Sequence, residues 1–220
     1  MVITLDNRGV GKSSRPNYPY TMDMVVDDLK HLLDYFKIKQ KIHLYGVSMG
    51  GMIAQNFALK YPDKVKTLIL CATAVKYNSK PLFEAFKLME GMTPEQSFLT
   101  ELPSLYSRSF RKKLNEDKEL FEKIKKIRTN NPAKLQDFIN QATIMDEHDT
   151  TLLSRKITQP TLIIVGNKDR IIPYSNSLTL HENIPNSRLE VFNGLGHGVA
   201  IEVADEVNNM IWNFIKEHPN

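Results

Sequence analysis

The sequence predicts an α/β fold: a mainly parallel sheet flanked by helices, with a helical segment inserted between its strands. Short continuous apolar runs recur along the chain, which is the pattern of strands buried on both faces. Helical stretches separate these runs, as right-handed crossovers between parallel strands require. From about residue 75 to residue 151 the helical pattern continues with no convincing strand.

In chain order, VITL (2–5) is the first strand candidate. Residues 22–36 then place Val25 or Val26, Leu29, Leu32 or Leu33, and Phe36 at helical spacing, with Asp27, Asp28, Lys30 and Asp34 on the other side. That is an amphipathic crossover helix. IHLYGV (42–47) is the next strand. The helix after Ser48 should end near Lys60, because Pro62 disfavours helical backbone at Tyr61. KTLILCA (66–72) follows as a strand, and residues 75–150 read as a helical cap with apolar positions at Phe83, Phe86, Leu88, Met89, Phe110, Leu114, Phe121, Ile124 and Ile127. Asn131-Pro132 resembles an N-cap with proline at the first helical position, so a cap helix is expected to start there. Strands resume after Gln159-Pro160 with TLIIVG (161–166) and RLEVF (188–192), and a helix closes the chain over 203–216. The expected division is a core of 1–74 and 151–220 with a cap of 75–150.

Composition narrows the function classes. With 220 residues, 41% apolar and 25% charged, the chain can bury one substantial core or a core with a small accessory domain. The 29 basic residues stand against 25 acidic ones, and both signs are spread along the chain, so nucleic acid is not an expected partner. The basic-rich stretch 108–128 is interrupted by Glu116, Asp117, Glu119 and Glu122 and reads as a solvated helix face. MVITLDNRG has no basic n-region and reaches an aspartate at position 6, unlike a secretory signal. The longest apolar runs fall far short of the roughly 20 residues of a membrane span. The single cysteine, Cys71, lies inside TLILCATAV, as a small buried side chain in a reducing, cytoplasmic setting would. Oligomeric state is open, and a homo-oligomer is compatible with the sequence.

Chemistry concentrates at GVSMG, Gly46 to Gly50, which matches G-x-S-x-G with a strand before it and a helix after it. A nucleophile on such a turn sits in strained backbone, and small residues at Gly46 and Gly50 let neighbouring segments approach. Ser48 then projects from the turn, and the amide of Met49 points toward a developing oxyanion. A serine hydroxyl needs a base to take its proton and a group to fix that base's tautomer. Of six histidines, His197 follows strand RLEVF in the turn NGLGHG, where a side chain can reach over the carboxyl edge of a parallel sheet. His43 begins a strand, His31 lies on a helix, and His148, His181 and His218 lie in polar segments; each reads as structural or solvated. Asp169 follows strand TLIIVG in GNKD, one strand before the histidine. The order is therefore Ser48, Asp169, His197. The acidic cluster Asp146, Glu147, His148, Asp149 lacks a second ligand group and reads as a solvated turn rather than a metal site. VGKS does not complete a phosphate-binding loop, because the first glycine of that motif would fall on Asp6.

Taken together, DNRGVGKS (6–13), YTMDMVVDDLKHLLDYF (20–36), HLYGVSMGG (43–51), YPDKVKTLIL (61–70), QPTLIIVGNKDRIIP (159–173) and GLGHGVAIE (194–202) resemble the α/β-hydrolase superfamily. The resemblance is to its branch of carboxylesterases, enol-lactone hydrolases, cofactor-free haloperoxidases and carbon-carbon bond hydrolases. It covers nearly the whole chain, most weakly in the cap. It implies a serine hydrolase that uses no cofactor or metal and acts on a small ester-like molecule, with cap residues such as Phe83, Phe86, Met89, Met92 and Phe98 favouring an apolar acyl group. Haloalkane dehalogenases and epoxide hydrolases carry aspartate at the nucleophile position, so Ser48 argues against both.

The resemblance also has a departure. In the family the second oxyanion donor comes from a His-Gly loop after the third strand, and DNRGVGKS follows the fourth; here DNRGVGKS begins at position 6. The first three strands and that loop are thus expected to be missing, and VITL must pair with IHLYGV, leave the sheet, or meet another chain. Low or absent activity is the expectation for this chain alone. The alternatives are a non-catalytic ligand-binding protein on the same fold and an inactive fragment.

Overall fold

Four of the apolar runs form one parallel sheet in the computed structural model, which describes residues 1–219. The strands are β1 (Ile42–Val47), β2 (Val65–Cys71), β3 (Thr161–Gly166) and β4 (Ser187–Phe192), in the spatial order β1-β2-β3-β4. Leu44 pairs with Leu68, Ile69 with Leu162, and Ile163 with Leu189. Every position of β3 is buried, which explains its unbroken apolar character. Because all strands run the same way, their carboxyl ends share one edge, and the loops after β1, β3 and β4 carry Ser48, Asp169 and His197 to it.

Alternation along β2 divides the core into two layers. Leu68 and Leu70 join one cluster with α1 (Met22–Tyr35) and α2 (Met49–Lys60). Ile69 and Cys71 join the other, against Val207 and Phe214 of the closing helix. Thr21 caps α1 by accepting from the Met24 N–H, and the helix buries Met22, Val25, Val26, Leu29 and Leu33, the predicted stripe without its last member, since Phe36 caps the helix end and is exposed. α2 ends at Lys60, before Pro62.

Between β2 and β3 the chain is helical: α3 (Lys80–Leu88), α4 (Pro94–Leu105), α5 (Arg108–Glu116), α6 (Lys118–Thr129) and α7 (Leu135–Glu147). Phe98, Tyr106, Phe110, Leu114 and Ile124 form a small core of their own there. After β3 come α8 (Ser175–Asn183), the four-residue α9 (Val199–Glu202) and α10 (Ala204–Lys216). Among the described residues no helix is long and apolar enough to cross a membrane.

Three expectations are corrected. Residues 2–5 form no strand and leave the sheet. Only Ile3 of that run packs on the core, while Val2 is almost fully exposed; a short apolar run is a strand only where an edge pairs with it. Asn131 does not cap a helix. It adopts φ +60°, a left-handed conformation asparagine tolerates, and α7 starts only at Leu135, where the Asp137 carboxylate accepts from the Lys134 N–H at 2.9 Å.

The third correction concerns 146–149: Asp146, Glu147 and Asp149 are exposed, as a solvated segment would be, but the first two end α7 rather than form a turn, and His148 is buried. Asp146 accepts from the backbone and hydroxyl of Ser79, both at 2.7 Å, and Glu147 accepts from the Met22 N–H at 3.0 Å. His148 is buried between the Asn56 amide and the Ala74 carbonyl, each 2.9 Å away, and Asp149 pairs with Lys76 at 2.6 Å. Each polar group in this cluster meets a specific partner, so it works as a clasp where the helical insert rejoins the core. The segment before α1 is held from both sides as well. Arg8 donates twice to Asp28 at 2.6 Å, and Arg15 pairs with the buried Asp137 at 2.5 Å.

Candidate active site

The chain leaves β1 directly into Ser48, whose φ of 54° and ψ of −123° lie where non-glycine residues are rare. Four hydrogen bonds hold this conformation. The Ser48 N–H donates to the Cys71 carbonyl at 2.9 Å, and the Ser48 carbonyl accepts from Thr73 Oγ1 at 2.8 Å, Gly51 N–H at 2.9 Å and Met52 N–H at 3.3 Å. A Cβ at Gly46 would come within 2.2 Å of the Gly50 carbonyl oxygen, and one at Gly51 within 2.6 Å of the Thr73 side chain. Around Gly50 the space for a Cβ is open. The close approach expected at Gly46 is therefore present, whereas the second position at which a Cβ would collide is Gly51 rather than Gly50.

Asp169 sits in the loop after β3 with its side chain fully shielded from solvent. One carboxylate oxygen accepts from the Ile171 and Ile172 N–H groups, both at 2.8 Å, and the other lies 2.7 Å from His197 Nδ1. Two backbone donors thus fix the carboxylate before it meets the histidine. With Nδ1–H committed to Asp169, a neutral His197 leaves Nε2 free to accept a proton. The loops carrying the two residues are tied together: Asn167 Oδ1 accepts from the Gly194 N–H at 2.8 Å, and the Lys168 N–H donates to the Leu195 carbonyl at 2.9 Å.

Ser48, Met49 and His197 line one cavity of about 800 Å³. Its walls are mostly apolar, with Phe86, Met89, Met92 and Phe98 from the helical insert, and Glu101 and Arg128 adding polar groups. Phe86 stacks on Phe138 with centroids 4.2 Å apart. Phe83, also a candidate for facing the cavity, stacks on Phe138 instead, at 6.0 Å.

The other histidines lie elsewhere. His43 hydrogen-bonds Thr67 on the neighbouring strand, His148 belongs to the clasp, and His181 bonds Ser187. The Asp6 carboxylate accepts from the Lys12 N–H at 2.9 Å, so the loop resembling a phosphate cradle is closed on its own anion. Sequence reasoning did not single out Thr73 as a support of the serine turn. The available signal was its place just past the carboxyl end of the strand beside β1.

The chain matches the family model described as alpha/beta hydrolase fold over residues 1–203. It is 32% identical to a poly(3-hydroxyalkanoate) depolymerase of Ectopseudomonas oleovorans over 98% of this chain and 75% of that protein. To a 2-hydroxymuconate semialdehyde hydrolase of Pseudomonas putida it is 30% identical, over 98% of this chain and 77% of that protein. A solved thermophilic esterase from Thermogutta terrifontis superposes with a TM-score of 0.82 at 30% identity, covering 97% of this chain and 79% of that one.

Proposed function

The chain belongs to the α/β-hydrolase-fold family, and on that premise we propose that it is a serine hydrolase cleaving a carboxylic ester or a related acyl bond such as a lactone or thioester. Ser48 is the nucleophile, His197 the general base and Asp169 the acid that orients the base. The observation that carries this reading is the 2.7 Å contact between His197 Nδ1 and a pre-ordered Asp169, made at the wall of the cavity that Ser48 also lines.

The reaction proceeds in two halves. Ser48 Oγ attacks the acyl carbon while His197 Nε2 takes its proton, and the Met49 N–H, at the positive end of α2, donates to the oxyanion. The tetrahedral intermediate collapses as His197 returns the proton to the leaving group, giving an acyl-serine. A water deprotonated by the same histidine then releases the acid. Asp169 stays ionised throughout and stabilises the imidazolium. This chemistry draws on no cofactor or metal. The apolar cavity walls support a small substrate with an apolar acyl group.

A fluorophosphonate probe tests the reading: it should label Ser48 in the wild-type protein and leave Ser48→Ala unlabelled. Folded wild-type protein that stays unlabelled overturns it and leaves the non-catalytic alternatives. A second reading, carbon-carbon bond hydrolysis, is favoured by the 2-hydroxymuconate semialdehyde hydrolase relative. Parallel assays with p-nitrophenyl butyrate and 2-hydroxymuconate semialdehyde separate the two by which compound gives the higher kcat/KM.

A further inference from the structure

Glu202 is a buried carboxylate that the proposed mechanism does not use. It ends α9, five residues after His197, and is 8% exposed. Its donors are all neutral. Oε1 accepts from the Gly196 N–H at 3.0 Å and from the Ser107 N–H at 3.1 Å, and Oε2 accepts from the Ser107 hydroxyl. A buried carboxylate is costly unless its oxygens are well hydrogen-bonded, so the position is a demanding one to fill with glutamate. Gly196 immediately precedes His197, whereas Ser107 lies between α4 and α5 of the helical insert. One side chain therefore joins two segments 95 residues apart in sequence.

The same two segments meet again beside it. The Gly198 N–H donates to the Leu105 carbonyl at 2.7 Å. A Cβ at Gly198 would lie 2.4 Å from the Tyr106 ring, and one at Gly196 would lie 2.9 Å from the Leu105 carbonyl oxygen. The two segments thus touch closely at their backbones, and Glu202 closes the third side of the contact. Leu105 and Tyr106 on one side, and His197 and Gly198 on the other, all line the cavity.

We infer that Glu202 is a positioning residue that couples the seating of the α4–α5 junction to the placement of His197, so that the wall a substrate presses against and the base acting on Ser48 are held in one geometry. This rests on the assignment of His197 as the base.

The test compares Glu202→Ala, Glu202→Gln and Ser107→Ala with wild type, using p-nitrophenyl butyrate turnover and the rate of Ser48 labelling by a small fluorophosphonate. Misplacing a catalytic group by about 1 Å costs on the order of 10²-fold. Glu202→Ala should lower kcat and the labelling rate by about 10- to 100-fold with little change in KM. Glu202→Gln keeps an oxygen for the two N–H groups and offers its amide to the Ser107 hydroxyl, and should restore most of the loss. Ser107→Ala should show a smaller fall of the same kind, and the double variant should fall no further than Glu202→Ala, as coupled residues do. If Glu202→Ala does not fold, the Glu202→Gln and Ser107→Ala comparison carries the test alone. A wild type that labels and turns over, with Glu202 and Ser107 variants matching its kcat and labelling rate below their melting temperatures, overturns the inference while leaving the serine-hydrolase reading intact. A wild type that neither labels nor turns over overturns that reading, and the inference with it.

Discussion

His197 Nδ1 donates to Asp169 Oδ2 across 2.7 Å, while the opposite carboxylate oxygen is already engaged by the N–H groups of Ile171 and Ile172. This arrangement leaves Asp169 one way to be replaced by its amide. In Asp169→Asn the oxygen stays with the two backbone donors, and the NH₂ turns toward His197. The ring must then carry its proton on Nε2, where it can no longer accept one from Ser48. The expected loss in kcat is about 10⁴-fold with the fold retained, measured with p-nitrophenyl butyrate beside a circular dichroism spectrum. Activity within tenfold of wild type would place the orienting acid elsewhere.

The serine turn makes opposite predictions for two of its glycines. Gly46→Ala puts a Cβ 2.2 Å from the Gly50 carbonyl oxygen, a backbone atom that can move only if the turn moves. Overpacking of this kind costs about 1–3 kcal/mol, and probe labelling of Ser48 should be lost with it. Gly50→Ala meets open space inside α2. It should retain labelling and stabilise the protein by roughly 0.5–1 kcal/mol, the helical preference of alanine over glycine. Equal effects in denaturant melts of the two variants would refute the packing argument.

The contrast between those glycines shows where the sequence was readable. Positions decided by the order of strands and turns were legible: four strands, the loops that carry Ser48, Asp169 and His197, and the helical insert all follow from apolar runs and the residues that interrupt them. Contacts between segments distant in sequence were not. The G-x-S-x-G pattern points to Gly50, and only the fold sets Gly51 against Thr73. Likewise His148 reads as polar surface because its partners Ala74 and Asn56 lie 74 and 92 residues away. VITL fails for the complementary reason, since a strand requires an edge to pair with and local composition carries no information about that edge.

Thr73 offers a graded test of how firmly the nucleophile is held. Its hydroxyl donates to the Ser48 carbonyl at 2.8 Å, but that carbonyl also accepts from Gly51 and Met52. Thr73→Val keeps the shape and removes one donor, leaving no orphaned acceptor. Such a loss is worth about 1 kcal/mol, so a small fall in stability and a labelling rate reduced severalfold, not abolished, are expected. Complete loss of labelling would mean that Thr73 alone fixes the turn.

His148 makes the clasp sensitive to acid. The Asn56 amide donates to its Nδ1, so its Nε2–H donates to the Ala74 carbonyl. Burial holds the imidazole below its ordinary pKa of 6.5, against the opposing influence of the Ala74 carbonyl and the Asp149 charge. A second proton would arrive on Nδ1 and face the Asn56 NH₂. In the unfolded chain the ring protonates near the ordinary value, whereas in the folded chain it does not. The unfolded state therefore binds more protons in this window. His148 contributes its full stability above about pH 6.5 and loses it as the pH falls toward the depressed folded value. Melting temperatures recorded from pH 8 to pH 5 should show this decline. His43, also lowered by burial, adds a similar component, so the comparison that isolates His148 is with His148→Gln. Glutamine can accept from Asn56 and donate to Ala74 without titrating, and its decline should be shallower than wild type. Parallel declines in the two proteins would assign the acid sensitivity to His43 or to other groups.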